Sequence, residues 1–380
     1  MIPRAVNIGK LLKPGKVLIL YGARRVGKTT LLQEFLRGST FKARIDSGDN
    51  IRIQHLFASQ DFSAMAEYAE GYNLIAIDEA QQIKSIGQAL KILVDTHPTL
   101  RIIATGSSSF DLAQSVGEPL TGRKKTVVLF PLSLLELRER YNRQEQRERL
   151  GDFMLFGMYP EVILARSKKA KIDTLYELVD SYLLKDVLSV ETVRGSKQIM
   201  DLLKLLAFQI GKEVSLSELA GQVRLDVKTV ARYLDILERG FILRRVGAFS
   251  RNLRKEVASK AKYYFADTGI RNAVIRQFNA FGDRNDVGEL FENFVVMERF
   301  KYCAYRERPA EAYFWRTYDG QEIDLIEERN GVLTAFEVKW SERAKHKVPP
   351  AWKAAYPRAS MVWIDPKNVL SFLLDGTVQK

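Results

Sequence analysis

The residues Gly22-Ala23-Arg24-Arg25-Val26-Gly27-Lys28-Thr29 have the spacing GxxxxGKT, and Thr30 follows them. Glycines in such a loop let the backbone turn tightly and aim its N–H groups at phosphates. Lys28 reaches the β- and γ-phosphates, and the Thr29 hydroxyl serves Mg²⁺. Gly22 to Thr30 is therefore the candidate ATP-binding segment. Arg24 and Arg25 within it can touch phosphate, meet a neighbouring subunit or stay in solvent. The apolar run Leu74-Ile75-Ala76-Ile77 ends in Asp78-Glu79. Asp78 is placed to hold Mg²⁺ through its water shell, and Glu79 to polarise an attacking water. A third run, Arg101 to Ala104, leads into Thr105-Gly106-Ser107-Ser108-Ser109, where a hydroxyl such as that of Ser107 can sense the γ-phosphate. Leu120-Thr121-Gly122-Arg123 is a turn that ends in arginine. Two roles fit Arg123: a finger that spreads its donors over the transferring phosphoryl group, or an exposed side chain.

A second acidic set lies towards the carboxyl end. QEIDLI at 321 to 326 and LTAFEVK at 333 to 339 flank Asn330-Gly331. Asn-Gly between two alternating runs predicts a hairpin with a two-residue type I′ turn. Arg329 then faces Val332, so that Asp324 faces Glu337 and Glu322 faces Lys339. Alternation puts these four on one face and Ile323, Leu325, Phe336, Val338 and Trp340 on the other. Two opposed carboxylates repel, and with nothing else nearby to offset them a divalent cation or a proton belongs between them. Glu292, near the start of the amphipathic run Glu289 to Phe300, completes the set. Asp324 and Glu337 suit oxygen ligation of Mg²⁺ or Mn²⁺, with Lys339 orienting a water or balancing phosphate charge. The chemistry of such a set is phosphodiester hydrolysis. A solvated strand face with a Glu322–Lys339 ion pair is the simpler alternative.

The phosphate loop needs a strand before it and a helix after it. KVLILY at 16 to 21 and the spacing Leu31, Leu32, Phe35, Leu36 supply them. With FKARID at 41 to 46, the runs at 74 and 101, and TVVLF at 126 to 130, five short strands alternate with helical segments. That pattern predicts a parallel α/β sheet with ATP at its carboxyl edge. Leu132 to Val190 predicts a helical lid and connector, broken at Gly157-Met158-Tyr159-Pro160-Glu161. Ile199 to Ile210 predicts a helix, and Ser215 caps a second one that Glu218 closes as a capping box. Asp226 caps a third helix, which carries Lys228, Thr229 and Arg232 outward and Val230, Leu234 and Leu237 inward. Paired strands at Gly240 to Val246 and Lys262 to Phe265 then complete a helix-turn-helix with a wing, and RNLRKE at 251 to 256 makes the wing basic.

At 380 residues the chain has room for two or three domains. Its 59 Lys and Arg against 46 Asp and Glu give a formal charge of +13. Residues 195 to 262 alone hold 14 basic against seven acidic side chains. This bias makes DNA the leading partner. Cys303 is the single cysteine and there are three histidines, which excludes an internal disulfide and structural zinc or iron-sulfur sites. Metal must therefore sit on carboxylates. The apolar stretches fall short of the ~20 residues that span a bilayer, and no signal-peptide pattern precedes the first motif. A cytoplasmic protein with no membrane partner is expected, and a homo-oligomer is compatible with the motifs.

The motifs GARRVGKTT at 22 to 30, LIAIDEAQ at 74 to 81, ATGSSS at 104 to 109, LTGR at 120 to 123 and FGMYPE at 156 to 161 form a series. KYYFADTGIRN at 262 to 272, LFENFV at 290 to 295, GQEIDLI at 320 to 326 and FEVK at 336 to 339 continue it. Over nearly its whole length the chain resembles the bacterial and archaeal AAA-type ATPases that carry a carboxyl-terminal DUF4143 domain, a nuclease-like module of the PD-(D/E)XK fold. The resemblance implies an α/β chain: a P-loop NTPase parallel sheet, then an α-rich winged-helix domain, then an α/β restriction-endonuclease-like domain. It implies an ATPase with helical lid over 1–165, a helical connector over 166–194, a winged helix over 195–268 and the nuclease-like domain over 269–380. It also maps nuclease roles onto Glu292, Asp324, Glu337 and Lys339. The chain departs from it in the short lead-in to its first strand. Two functions are compatible with this reading: a Mg²⁺-dependent ATPase whose last module cuts DNA, or an ATP-controlled regulator whose last module only holds DNA or a partner.

Overall fold

The computed structural model describes residues 2–107, 120–183, 196–250, 260–341 and 346–377. Ser108, Ser109, the last part of the expected connector (184–194) and the basic segment 251–256 lie outside these residues. The chain forms two compact units, one made of Arg4–Pro131 with Arg239–Phe241, the other of Met1–Pro3, Leu132–Glu238 and Ile242–Lys380.

In the first unit the strands β1 (Lys16–Tyr21), β2 (Ala43–Ser47), β3 (Leu74–Asp78), β4 (Arg101–Gly106) and β5 (Lys124–Val128) form one sheet in the order β2-β3-β4-β1-β5. Every pairing is parallel. Strands covered on both faces read as unbroken apolar runs, and Val17 to Leu20, Leu74 to Ile77 and Ile102 to Ala104 are all buried. Helices bring Phe57, Met65, Leu90 and Leu93 against them. The last strand starts two residues earlier than TVVLF suggests, because Lys124 already pairs with Val17. An edge strand accommodates the exposed Lys125 without cost.

The second unit holds β6 (Glu213–Val214), β7 (Leu243–Ala248), β8 (Ala261–Phe265), β9 (Glu311–Arg316), β10 (Glu322–Arg329), β11 (Val332–Val338) and β12 (Ser360–Ile364), in the order β12-β11-β10-β9-β7-β8-β6. The strands after Gly240 therefore share a sheet with those that follow residue 311. A helix at Val287–Tyr305 packs Phe291, Phe294 and Val295 against Leu325, Phe336 and Phe372. Leu134, Leu150 and Phe153, from the segment read as a lid, join the same core.

Asn330 (φ 49°) and Gly331 (φ 77°) make the expected tight turn. Arg329 pairs with Val332, and the register holds through Leu325 and Phe336. The expected apolar face holds for Leu325, Phe336, Val338 and Trp340 and fails at Ile323. Between its pairs with Trp315 and Tyr313, β10 has two residues, Asp324 and Leu325, where β9 has one. This bulge turns Ile323 to the side of Ile326, Leu333 and Trp352, while Leu325, Phe336 and Val338 pack on the core with Phe291.

Candidate functional site

The phosphate-loop candidate is built where β1 hands over to the helix Lys28–Arg37. Gly22 lies so close to the Leu129 carbonyl that a Cβ there would sit 2.0 Å from its oxygen, and Gly27 takes φ 96°. Both positions require glycine. Arg4, outside every motif named above, donates to the carbonyls of Val26 and, at 2.7 Å, of Phe130. Lys28 is buried and donates to the carbonyls of Gly22 (2.9 Å) and Ala23 (2.8 Å). Ala23 and Val26 are buried, whereas Thr29 and Thr30 face solvent.

Because β4 runs between β1 and β3, the ends of all three strands converge on one place. The Thr29 hydroxyl donates to Asp78 Oδ2 at 2.7 Å. Thr105 donates its hydroxyl to the other oxygen of Asp78, and the Glu79 N–H lies 3.2 Å from that oxygen. Glu79 adopts φ 49°, an uncommon conformation for a side chain of this kind. The Gln81 amide donates to the Glu79 carboxylate and, at 3.1 Å, to Ser107. Gln81 was not among the sequence candidates, although it stands inside a quoted motif, and Thr105 belongs to the hydroxyl series read as the sensor but bonds Asp78 instead. Arg123 is elsewhere. Its carbonyl accepts from Val17 at the start of β1, five residues and about 16 Å of strand from Gly22. Its guanidinium pairs with Asp95 at 2.8 Å.

The second cluster also forms, with a different centre. Glu292 from the long helix, Glu322 and Asp324 from β10 and Glu337 from β11 gather with Lys339 and with Lys262 of β8. Lys262 Nζ lies 2.6 Å from Glu322 Oε1, 3.2 Å from Glu292 Oε1 and 3.8 Å from Asp324 Oδ1. Lys339 Nζ lies 2.6 Å from Glu337 Oε1 and 3.6 Å from Asp324 Oδ2. The Tyr264 hydroxyl donates to Glu292 at 2.6 Å. Burial, and then Asp324, push Glu292 up to about 8 against the pull of Lys262 and Tyr264. The same two causes raise Glu337 to about 7 against Lys339. Burial alone would lower Lys262, but Glu292, Asp324 and Glu322 outweigh it and hold the ammonium above the ordinary lysine value. The expectation that nothing near Asp324 and Glu337 offsets their charge is therefore corrected: two lysines do.

Family models match three stretches. An AAA domain covers residues 14–138, and two domains of unknown function, DUF8612 and DUF4143, cover 147–280 and 287–372. The chain carries an AAA-type ATPase domain and a carboxyl-terminal DUF4143 domain. An uncharacterized protein of Mycobacterium tuberculosis, Rv2008c, is 28% identical over 88% of this chain and 73% of its own. Uncharacterized proteins of Haemophilus influenzae (24% identical, 85% of this chain and 83% of its own) and of Methanocaldococcus jannaschii, MJ1544 (26%, 75% and 66%), are similar along most of the chain. Among solved structures, a chain of Drosophila ORC bound to DNA overlaps 72% of this chain and 94% of its own, at 12% identity and a TM-score of 0.27. Protein VC1899 from Vibrio cholerae overlaps 94% and 96%, at 12% identity and 0.19. Neither score is high enough to indicate a shared fold.

Within the AAA domain, the Thr29 and Asp78 oxygens are donors of the kind Mg²⁺ takes beside a bound nucleotide. Within and beside the DUF4143 domain, the carboxylates do not fit a divalent ion. Such an ion needs several oxygens at about 2.0–2.6 Å, whereas Glu292 Oε1, Glu322 Oε1, Glu337 Oε1 and Asp324 Oδ2 turn to Lys262, Lys339, Tyr264 and the Val338 N–H, and Glu337 Oε2, buried without a hydrogen-bond partner, is one oxygen where several are needed. Among the described residues no group of three or more His, Cys, Asp or Glu is arranged to hold a metal. Lys262 and Tyr264 are the residues that sequence reasoning missed here. Their signal was a lysine two residues before a tyrosine in an otherwise apolar strand, hence on one face with it.

Proposed function

We propose that this chain is a Mg²⁺-dependent ATPase that acts on DNA. The observation that carries the first part is the convergence of Thr29 and Asp78 at the ends of neighbouring segments, 2.7 Å apart, beside a loop of the GxxxxGKT type. Gly22 to Gly27 would present backbone N–H groups to the phosphates, and Lys28 would exchange its two loop carbonyls for phosphate oxygens. Thr29 and Asp78 would hold Mg²⁺, which neutralises charge on the phosphates when bound. Glu79, oriented by Gln81, takes the proton of the attacking water. Ser107, on the same amide, is the γ-phosphate sensor.

The DNA-directed part rests on residues 195–268. A helix at Ser196–Phe208, the short β6, helices at Leu216–Val223 and Val227–Arg239, and then β7 and β8 follow the order of a winged helix. In the third helix Val230, Leu234 and Leu237 are buried, while Lys228 and Arg232 are exposed. Asp226 caps it, accepting from the Thr229 N–H at 2.8 Å. Ser215 caps the helix before, but the Glu218 side chain accepts from Gln222 instead of turning back to close a box. Phosphate release from ATP, measured with and without Mg²⁺ and duplex DNA, tests both parts. A rate that does not need Mg²⁺ sinks the first, and one that no DNA alters weakens the second.

A further inference from the structure

Lys262 has no solvent exposure, and its ammonium is shared among three carboxylates from two segments, Glu292 on the helix and Glu322 and Asp324 on β10. Burying a charge costs several kcal/mol unless partners compensate it, and the carboxylates of Glu322 and Asp324 around a common centre demand a cation there. In a carboxylate metal site a divalent ion meets that demand. We propose that in this protein the Lys262 ammonium takes the ion's place: the cluster is a lysine-filled site, closed to divalent metal in the native chain and opened by removal of the lysine side chain.

Three further oxygens have their own partners, and one stands apart: Glu337 Oε2 is buried without a hydrogen-bond partner. Asp324 Oδ2 accepts from the Val338 N–H at 2.8 Å, so one of its oxygens serves the bulged hairpin. Glu337 Oε1 is held by Lys339, and Glu292 Oε1 by both Tyr264 and Lys262. The Lys262 ammonium also lies over the Phe314 ring, 5.6 Å from its centre, so its stem cannot swing aside without opening the core. Lys262 thereby ties β8 to the helix and to β10. Through this cluster the DUF4143 domain of this chain then does not hydrolyse phosphodiester bonds, whether or not the phosphate loop turns over ATP.

The test is Mn²⁺ uptake by the full chain without nucleotide, followed by the electron paramagnetic resonance of free Mn²⁺. Wild type, Asp324→Asn, Lys262→Met and the double variant are compared. Wild type and Asp324→Asn should take up the same amount, while Lys262→Met gains one equivalent of bound Mn²⁺ and the double variant loses it. One equivalent more in wild type than in Asp324→Asn overturns the proposal, as does a folded Lys262→Met with no added site. Should Lys262→Met fail to fold, the comparison of wild type with Asp324→Asn decides alone. ATP turnover of the wild type reports separately on the phosphate loop, and its absence would leave the Mn²⁺ comparison standing.

Discussion

The Thr29 hydroxyl donates to Asp78 Oδ2 at 2.7 Å, although 49 residues separate them in sequence. That contact exists because β4 spaces β3 from β1, so that the acidic strand end and the helix after the loop open on the same edge. If this edge hydrolyses ATP, Lys28→Ala should lose nucleotide binding. Glu79→Gln should bind as wild type does and hydrolyse roughly 10²-fold or more slowly, the usual contribution of a positioned base. Fluorescent-nucleotide titration and phosphate release separate the two. Wild-type turnover by Glu79→Gln would show that another group handles the water.

Arg123 gives a contrasting expectation. It stands at the opposite end of β1 from the loop and is paired with Asp95. Within one subunit, Arg123→Ala should therefore change turnover by less than twofold and stability by no more than about 1 kcal/mol, as for other exposed ion pairs. Assays across a dilution series check this. A large loss of turnover confined to high protein concentration would point to an arginine acting on a neighbouring copy.

The carboxyl groups of Glu292 and Glu337, held up at about 8 and about 7 from an ordinary value of 4.5, set a pH dependence with a definite sign. The folded chain keeps protons that the unfolded chain releases above about pH 4.5. The stabilisation is whole below that pH and drains away as pH rises through 7 and 8. Buried Asp267 and Glu298, also raised, act in the same direction. The melting temperature should fall between pH 5.5 and 8, and Glu292→Gln should shrink the fall. A wild type that melts alike at both values contradicts the assignment.

What could be read in advance divides along a physical line. The parallel sheet and its loop were legible because fully buried strands write themselves as apolar runs and because Gly22, Gly27, Lys28 and Thr29 have few other reasons to share that spacing. The register of the hairpin was legible because Asn330-Gly331 permits one short turn. What was hidden is long-range. Lys262 enters the cluster of Glu292, Glu322 and Asp324 from 30 or more residues away, and a bulge at Asp324 and Leu325 turns Ile323 to the opposite side. Period-two reasoning assumes that neighbouring strands stay in step, and β9 is what breaks the step. The end of β1 at which Arg123 stands was hidden for a similar reason: arginine after a turn says nothing about which end of a sheet the turn occupies.

If the helix Val227–Arg239 contacts duplex DNA through phosphates, each neutralised phosphate contributes about 0.9 to the slope of log affinity against log salt. Replacing Lys228 and Arg232 together by alanine should lower that slope by about 1.8. Fluorescence anisotropy at several salt concentrations measures it. An unchanged slope would assign this exposed face to solvent.

The last expectation concerns Gly157 and Asp267, which join the FGMYPE and ADTGIRN segments. The Asp267 carboxylate accepts from the Met158 N–H at 2.7 Å and from the Ile270 N–H at 3.2 Å, so it stitches the loop at 157 to the start of the helix Thr268–Val274. Gly157 has φ 74°, and a Cβ there would sit 1.9 Å from Asp267 Oδ1. Gly157→Ala must therefore strain its own backbone by about 1–2 kcal/mol and displace a buried carboxylate from two hydrogen bonds at the same time. The combined loss should reach about 3 kcal/mol, within the range of broken buried networks. Gly221, inside the helix Leu216–Val223, meets nothing within 4 Å at its Cβ position. Gly221→Ala should accordingly be neutral or gain up to about 1 kcal/mol from helix propensity. Urea unfolding of the two variants beside wild type measures the contrast, and equal midpoints for all three would show that the stitch between Gly157 and Asp267 contributes nothing to the stability of this unit.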